Sequence, residues 1–242
     1  MLKSPMPLCF YSIAFIVATP TAANPGHASH ESSPNVLYTG TAAAHTHKDK
    51  PVFTLTDRKG IRFVNAYIRN NDECLTIVKR RSEIPFAVID SVLDRYRLPR
   101  ELKYLAVVES ELKSTAVSRV GAKGTWQLMP GTAHELGLAV NRKSDERKDL
   151  VKSTTAAAKY LRDLHHEFGD WLLVLAAYNG GPAPVHRAIH KAHSRNFWVL
   201  QQYLPAESRM HVKKFIATAC YFESKESAKS LLVSNELIGV DE

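Results

Sequence analysis

Apolar positions recur at helical spacing along most of this chain, and the most informative run lies at residues 98–127. Leu102, Leu105, Glu109 and Leu112 stand at offsets of 0, 3, 7 and 10. A helix opening near Pro99 therefore places a carboxylate on the same side as its leucines. A charge gains nothing from packing there. A carboxylate kept from full hydration holds its proton more firmly, which suits a group that must donate a proton near neutral pH. The structural alternative pairs Glu109 with a basic side chain such as Arg119 and leaves it only to fix a loop. Glu111, two positions on, points elsewhere and reads as surface.

The same pattern predicts helices on both sides. Phe63, Val64, Tyr67 and Ile68 suggest a short helix, and Asn71 or Asp72 can cap another that carries Leu75 and Val78. Pro85 fits the first turn of a third, with Val88, Ile89, Val92, Leu93 and Tyr96 as its stripe. Residues 118–127 form a polar connection in which Gly121 and Gly124 can take conformations closed to other residues. Met129, Pro130 and Thr132 lead into AHELGL, a short helix ending at Gly137. Helix, tight connection and second helix can make one wall and the floor of a cleft.

Downstream, NRKSDERKDL reads as a solvated loop and helix start, with Asp145 and Asp149 as capping charges or loop braces. Residues 149–167 are helical, with Ala156, Ala157, Tyr160, Leu161 and Leu164 as the packing face and His165 and His166 near the end. Residues 171–178 form the most apolar helix. Gly180 and Gly181 stop it and Pro182 begins the next, which would hold Tyr178 and Asn179 at an exposed helix end. A final helical run carries Val212, Phe215, Ile216, Ala219 and Tyr221.

The ends of the chain read differently. Lys3, an apolar stretch over 7–17 and the small residues Thr21, Ala22 and Ala23 form a secretory signal over residues 1–23, cleaved after Ala23. The run is too short and too interrupted by proline for an ordinary spanning helix, with an uncleaved anchor as the alternative. Cys9, in PMPLCF, lacks the small residues that precede a lipidated cysteine. Residues 24–50 are small and polar, a disordered tether whose His27, His30, His45 and His47 are too irregularly spaced for a metal tract. Residues 51–97 read as a helical extension packed on the region over 98–223, and residues 224–242 as a tail. Cys74 and Cys220 remain after cleavage; export permits a disulfide between them, and two free buried thiols explain the count equally well.

Composition narrows the chemistry. At 242 residues and 45% apolar, the chain holds one domain of common size with extensions. Its formal charge of +8 attracts an anionic partner, for which a cell-wall polymer and nucleic acid are both candidates. No zinc finger, phosphate loop or arginine tract supports nucleic acid. His165-His166-Glu167 lacks the second histidine of a zinc-protease helix, and His186 and His190 share a helix face without an acidic or cysteine partner nearby. No metal and no cofactor are expected.

Five ordered segments carry a resemblance: LPRELKYLAVVES, SRVGAKGTWQLMPGTA, DLVKSTTAAAKYLRDL, DWLLVLAAYNGG and LPAESRMHVKKF, together covering residues 98–215. They resemble the lytic transglycosylase domain of glycoside hydrolase family 23, in its membrane-bound group. The resemblance implies a mainly α, lysozyme-like fold, with Glu109 as the single catalytic acid/base and Ser118 as the serine close to it. Trp126, Gln127 and Met129 match the sugar-contacting segment, and Tyr178 and Asn179 the opposing side of the cleft. Glu207 matches a glutamate of the LPxET block, where Ser208 replaces threonine. His211 stands where the family carries tyrosine. The implied partner is peptidoglycan, cut between N-acetylmuramic acid and N-acetylglucosamine to give 1,6-anhydromuramic ends in the periplasm, with a wall-synthesis or envelope complex as a further partner. The alternatives are a muramidase that admits water, and a non-catalytic wall-binding or assembly protein. The lipid anchor of the membrane-bound group does not carry over to Cys9.

Overall fold

In a computed structural model the residues described are 58–223. The signal segment, Cys9, the tether with its histidines and the tail lie outside them. The described residues form nine α-helices and no β-strand.

The apolar spacing before Glu109 builds two helices rather than three. Helix α1 (Arg58–Arg81) runs unbroken because Val64, Tyr67, Leu75 and Val78 form one continuous buried stripe. Asn71 does not cap a new helix; its amide donates to Tyr67 O at 2.7 Å within the turn. Helix α2 (Glu83–Arg95) starts with Pro85 in its first turn and buries Ile89, Val92 and Leu93.

A 3₁₀ turn at Arg100–Leu102 leads into α3 (Lys103–Ser110), whose residues from Tyr104 to Ser110 are all buried. The helix stops where Glu111 and Leu112 take left-handed backbone, φ 55° and 64°. That reversal overturns the surface reading of Glu111. It is 8% exposed, with Arg81 Nη2 on its carbonyl at 2.7 Å and Lys113 Nζ on its carboxylate at 2.6 Å.

The short helix α4 (Pro130–Glu135) follows the glycine connection, and α5 (Leu150–Phe168) is capped by Asp149, which accepts from Lys152 N. Helices α6 (Trp171–Gly180) and α7 (Pro182–Ala192) meet at Gly181, as the Gly-Gly-Pro run predicts. After α8 (Phe197–Leu200), α9 (Ala206–Phe222) packs against α1, α3 and α6, while α5 packs against α2 and α6. Helix α6 is apolar on every side, and its residues from Leu172 to Asn179 are buried. A Cβ on Gly180 would lie 2.4 Å from Ser208 Oγ, so the missing side chain lets α6 and α9 approach.

The charged stretch before α5 is not a solvated loop throughout. Arg147 is 4% exposed; it donates to Gly121 O at 2.8 Å and Leu128 O at 3.0 Å, and pairs with Asp145 at 2.9 Å. Lys123 reaches the same carboxylate at 2.9 Å. A buried guanidinium needs both a counter-charge and acceptors, and these two segments supply them. Asp145 is thus a brace: Arg147, then Lys123, hold its carboxyl well below the usual range.

Gly121 and Gly124 both have left-handed backbone, φ 88° and 82°, but only Gly124 is sterically closed, since a Cβ there would sit 1.8 Å from Arg147 O. Gly124→Ala is expected to lose about 3 kcal/mol or more, and Gly121→Ala about 1 kcal/mol. Equal losses in denaturant titrations would contradict this account of the connection.

Candidate active site

Glu109 lies in the last turn of α3 and faces α9. Its Oε1 is 2.8 Å from Nε2 of His211 in a hydrogen bond between side chains each 1% exposed. The side chain that pairs with Glu109 is thus His211. Glu109 Oε2 and His211 Nδ1 are buried without a hydrogen-bond partner.

Helix α9 supplies the other polar groups here. Glu207, His211 and Lys214 recur at i, i+4 and i+7, so one stripe of the helix is polar, while Val212, Phe215, Ile216 and Ala219 are buried. Burial raises the Glu207 carboxyl above its ordinary range, and the negative charge of Glu109 adds to that. His211, Lys214 and Asn179 favour the anion. Burial likewise lowers the Lys214 ammonium, against the pull of Glu207 and Glu109. Asn179 accepts from Ser208 Oγ at 3.0 Å; its Nδ2 and Glu207 Oε1 are buried and make no hydrogen bond, so the amide favours the carboxylate across space.

The opposing side is tied together through Tyr178. Its hydroxyl donates to Trp126 O at 2.7 Å, and its ring centroid lies 5.6 Å from that of Tyr160. Burial, then the charge of Glu109, raises the phenol well above its ordinary value, so Tyr178 stays a donor. Tyr178 and Asn179 are 1% and 2% exposed, which corrects the exposed helix end: α9 covers that end of α6.

The glycine connection uses its polar groups on itself. Ser118 Oγ accepts from Ala122 N at 2.9 Å, and Gln127 Nε2 donates to Gly124 O and Ala116 O. Ser110 Oγ, next to Glu109, donates to Thr125 O at 2.8 Å and fastens α3 to the connection. Trp126 corrects the expectation of a sugar-facing side chain. It is fully buried, with its indole N–H on Thr154 Oγ1 at 2.9 Å, and presents no open ring face. Met129 is half-buried at the start of α4.

His211, Ser208, Lys214 and Arg147 are the groups whose roles the sequence reading missed. The first three were legible as a polar stripe on an otherwise apolar helix. Arg147 gave no signal, because a buried arginine looks like its solvated neighbours until its acceptors are placed. Among the described residues no three His, Cys, Asp or Glu side chains group for metal binding. His186 pairs instead with Glu167. No disulfide joins Cys220 to Cys74, and burial pushes the Cys220 thiol up to about 12.

Tyr178→Phe leaves the buried Trp126 carbonyl without its donor and is expected to cost about 1–3 kcal/mol in equilibrium unfolding. For Glu207 the sign follows from a raised folded-state value. The stability it contributes is complete below about 4.5, its ordinary value, and is lost as pH rises through the raised value. Glu207→Gln should therefore raise the Tm at about pH 7 and leave it nearly unchanged at about pH 4; a larger gain at the acidic pH would reverse this assignment.

The pattern of the Transglycosylase SLT domain matches residues 88–201. Membrane-bound lytic murein transglycosylase D of Escherichia coli K12 is 37% identical over 156 residues, 62% of this chain and 34% of the relative. The chain thus spans about a third of the length of that relative. The X-ray structure of an inactive glutamate-to-glutamine mutant of the lytic transglycosylase Slt from Pseudomonas aeruginosa aligns with TM-score 0.50 and 26% identity, over 59% of this chain and 24% of that one. The 70 kDa soluble lytic transglycosylase of Escherichia coli aligns with TM-score 0.51 and 25% identity, over 60% and 26%. No helix among the described residues is long and apolar enough to cross a membrane. Five sequence blocks, a domain match and a shared fold thus agree: residues 88–201, which include Glu109, match the Transglycosylase SLT domain, and the described residues share the mainly helical, lysozyme-like fold of solved lytic transglycosylases.

Proposed function

We propose that this chain is a lytic transglycosylase that cleaves the β-1,4 bond between N-acetylmuramic acid and N-acetylglucosamine in peptidoglycan. The observation that carries the reading is a buried carboxylate, Glu109, with one oxygen anchored by His211 and the other without a protein partner, inside the region that matches the Transglycosylase SLT domain. Retaining and inverting glycosidases divide proton donation and nucleophilic or base work between two carboxylates. Here one carboxyl group can serve in turn as acid and base.

Glu109, protonated, gives its proton to the glycosidic oxygen as the C1–O bond breaks, and the N-acetylglucosamine hydroxyl departs. The muramic acid C6 hydroxyl then closes onto C1 and returns its proton to the Glu109 carboxylate. The acid is regenerated and a 1,6-anhydro ring is left. The attacking hydroxyl belongs to the same sugar, so it acts at the high effective concentration of an intramolecular reactant. The muramic N-acetyl oxygen stabilises the developing cation, which removes the need for a protein nucleophile.

Asn179 and Glu207 offer buried polar atoms for sugar hydroxyls, while Tyr178 holds the connection that carries Gln127 and Met129. Ser118 closes that connection. The segment over residues 1–23 supports export to the periplasm, and the +8 charge supports attachment to an anionic wall and to envelope partners.

Glu109→Gln keeps the shape and removes the acid. Mass spectrometry of peptidoglycan digests should show anhydromuramic fragments from the unaltered protein, and a rate lower by on the order of 10³-fold or more from the variant. Reducing-end fragments would identify a muramidase. Wall binding by folded protein without any fragments would identify a binding or assembly protein.

A further inference from the structure

We propose that His211 is a positioning residue for Glu109, an inference that rests on the activity proposed above. The hydrogen bond between Glu109 Oε1 and His211 Nε2, 2.8 Å long and closed from water on both sides, must contain a proton. An ionised carboxylate only accepts, so when Glu109 is ionised the ring carries hydrogen on Nε2. When Glu109 carries its proton on Oε2, the same N–H still donates to Oε1. One tautomer of His211 therefore holds Glu109 in place through both halves of the reaction and confines proton transfer to Oε2, the oxygen without a protein partner.

With Nε2 committed, Nδ1 keeps a lone pair in a buried position without a hydrogen-bond partner. The groups around the pair come from four helices. Glu207 and Lys214 on α9 bring opposite charges to bear on Glu109, and Glu207 also acts on His211. Tyr178 on α6 stays neutral, as does Tyr160 on α5, whose phenol burial pushes up to about 12. On α3 itself, the Ser110 hydroxyl is turned toward Thr125 O.

A tyrosine at this place can donate the same bond through its hydroxyl.

Two measurements test this. In ¹⁵N-histidine NMR, with the His211 signal assigned by its loss in His211→Gln, the ring at high pH should be the Nε2–H tautomer. An Nδ1–H tautomer overturns the pairing whether or not the protein cleaves peptidoglycan.

In cleavage assays, His211→Gln keeps an N–H donor and should stay within about tenfold of native kcat. His211→Phe should lower kcat by about 10- to 100-fold with KM changed less than about twofold. Cleavage by His211→Phe with native kcat overturns the positioning role. Absence of fragments from the unaltered protein, alongside the expected tautomer, overturns the activity and leaves the pairing in place.

Discussion

Everything around the site answers to one constraint: α3 is buried from Tyr104 to its end, so the carboxylate in its last turn must find a partner inside the protein. Desolvating a charge without one is far more costly than any packing gain from a single side chain. Helix α9 provides that partner in His211, and α9 is also the helix that packs on α1, α3 and α6. Chemistry and architecture are thus joined in one element. Displacing α9 would unpair Glu109 and separate Asn179 from Ser208 at the same time.

The other half of the site is held by backbone acceptors. Trp126 is anchored at both ends, by its indole on Thr154 and by its carbonyl under Tyr178. Arg147 grips the two ends of the glycine connection through Gly121 and Leu128. Each of these bonds joins residues distant in sequence, so the connection takes its shape only when α5 and α6 are in place. A polar loop becomes a rigid floor because its donors and acceptors are consumed internally.

Much of this was legible in the residues. Periodicity marked α3 and the odd placement of Glu109, Pro85 and Pro182 marked helix starts, and the Gly-Gly-Pro run marked the break between α6 and α7. Local spacing failed where tertiary packing decided. The unbroken α1 depends on a stripe that continues past Asn71, and Glu111 is buried because the chain reverses through left-handed backbone. Trp126 shows a further limit: a segment can be matched by pattern while its largest side chain faces inward. His211 was visible as a departure from the family tyrosine, but only the folded chain sets its ring against Glu109.

The Arg147 clamp has a further consequence for motion. A loop fixed by one buried cation cannot loosen residue by residue, because releasing Gly121 O or Leu128 O leaves the guanidinium short of acceptors and Asp145 paired to a less settled charge. Residues 118–128 and 145–148 are bound to open together or stay shut together. They constitute a single cooperative unit, whose backbone amides share one opening free energy against solvent exchange, and the floor beneath Glu109 behaves as a latch.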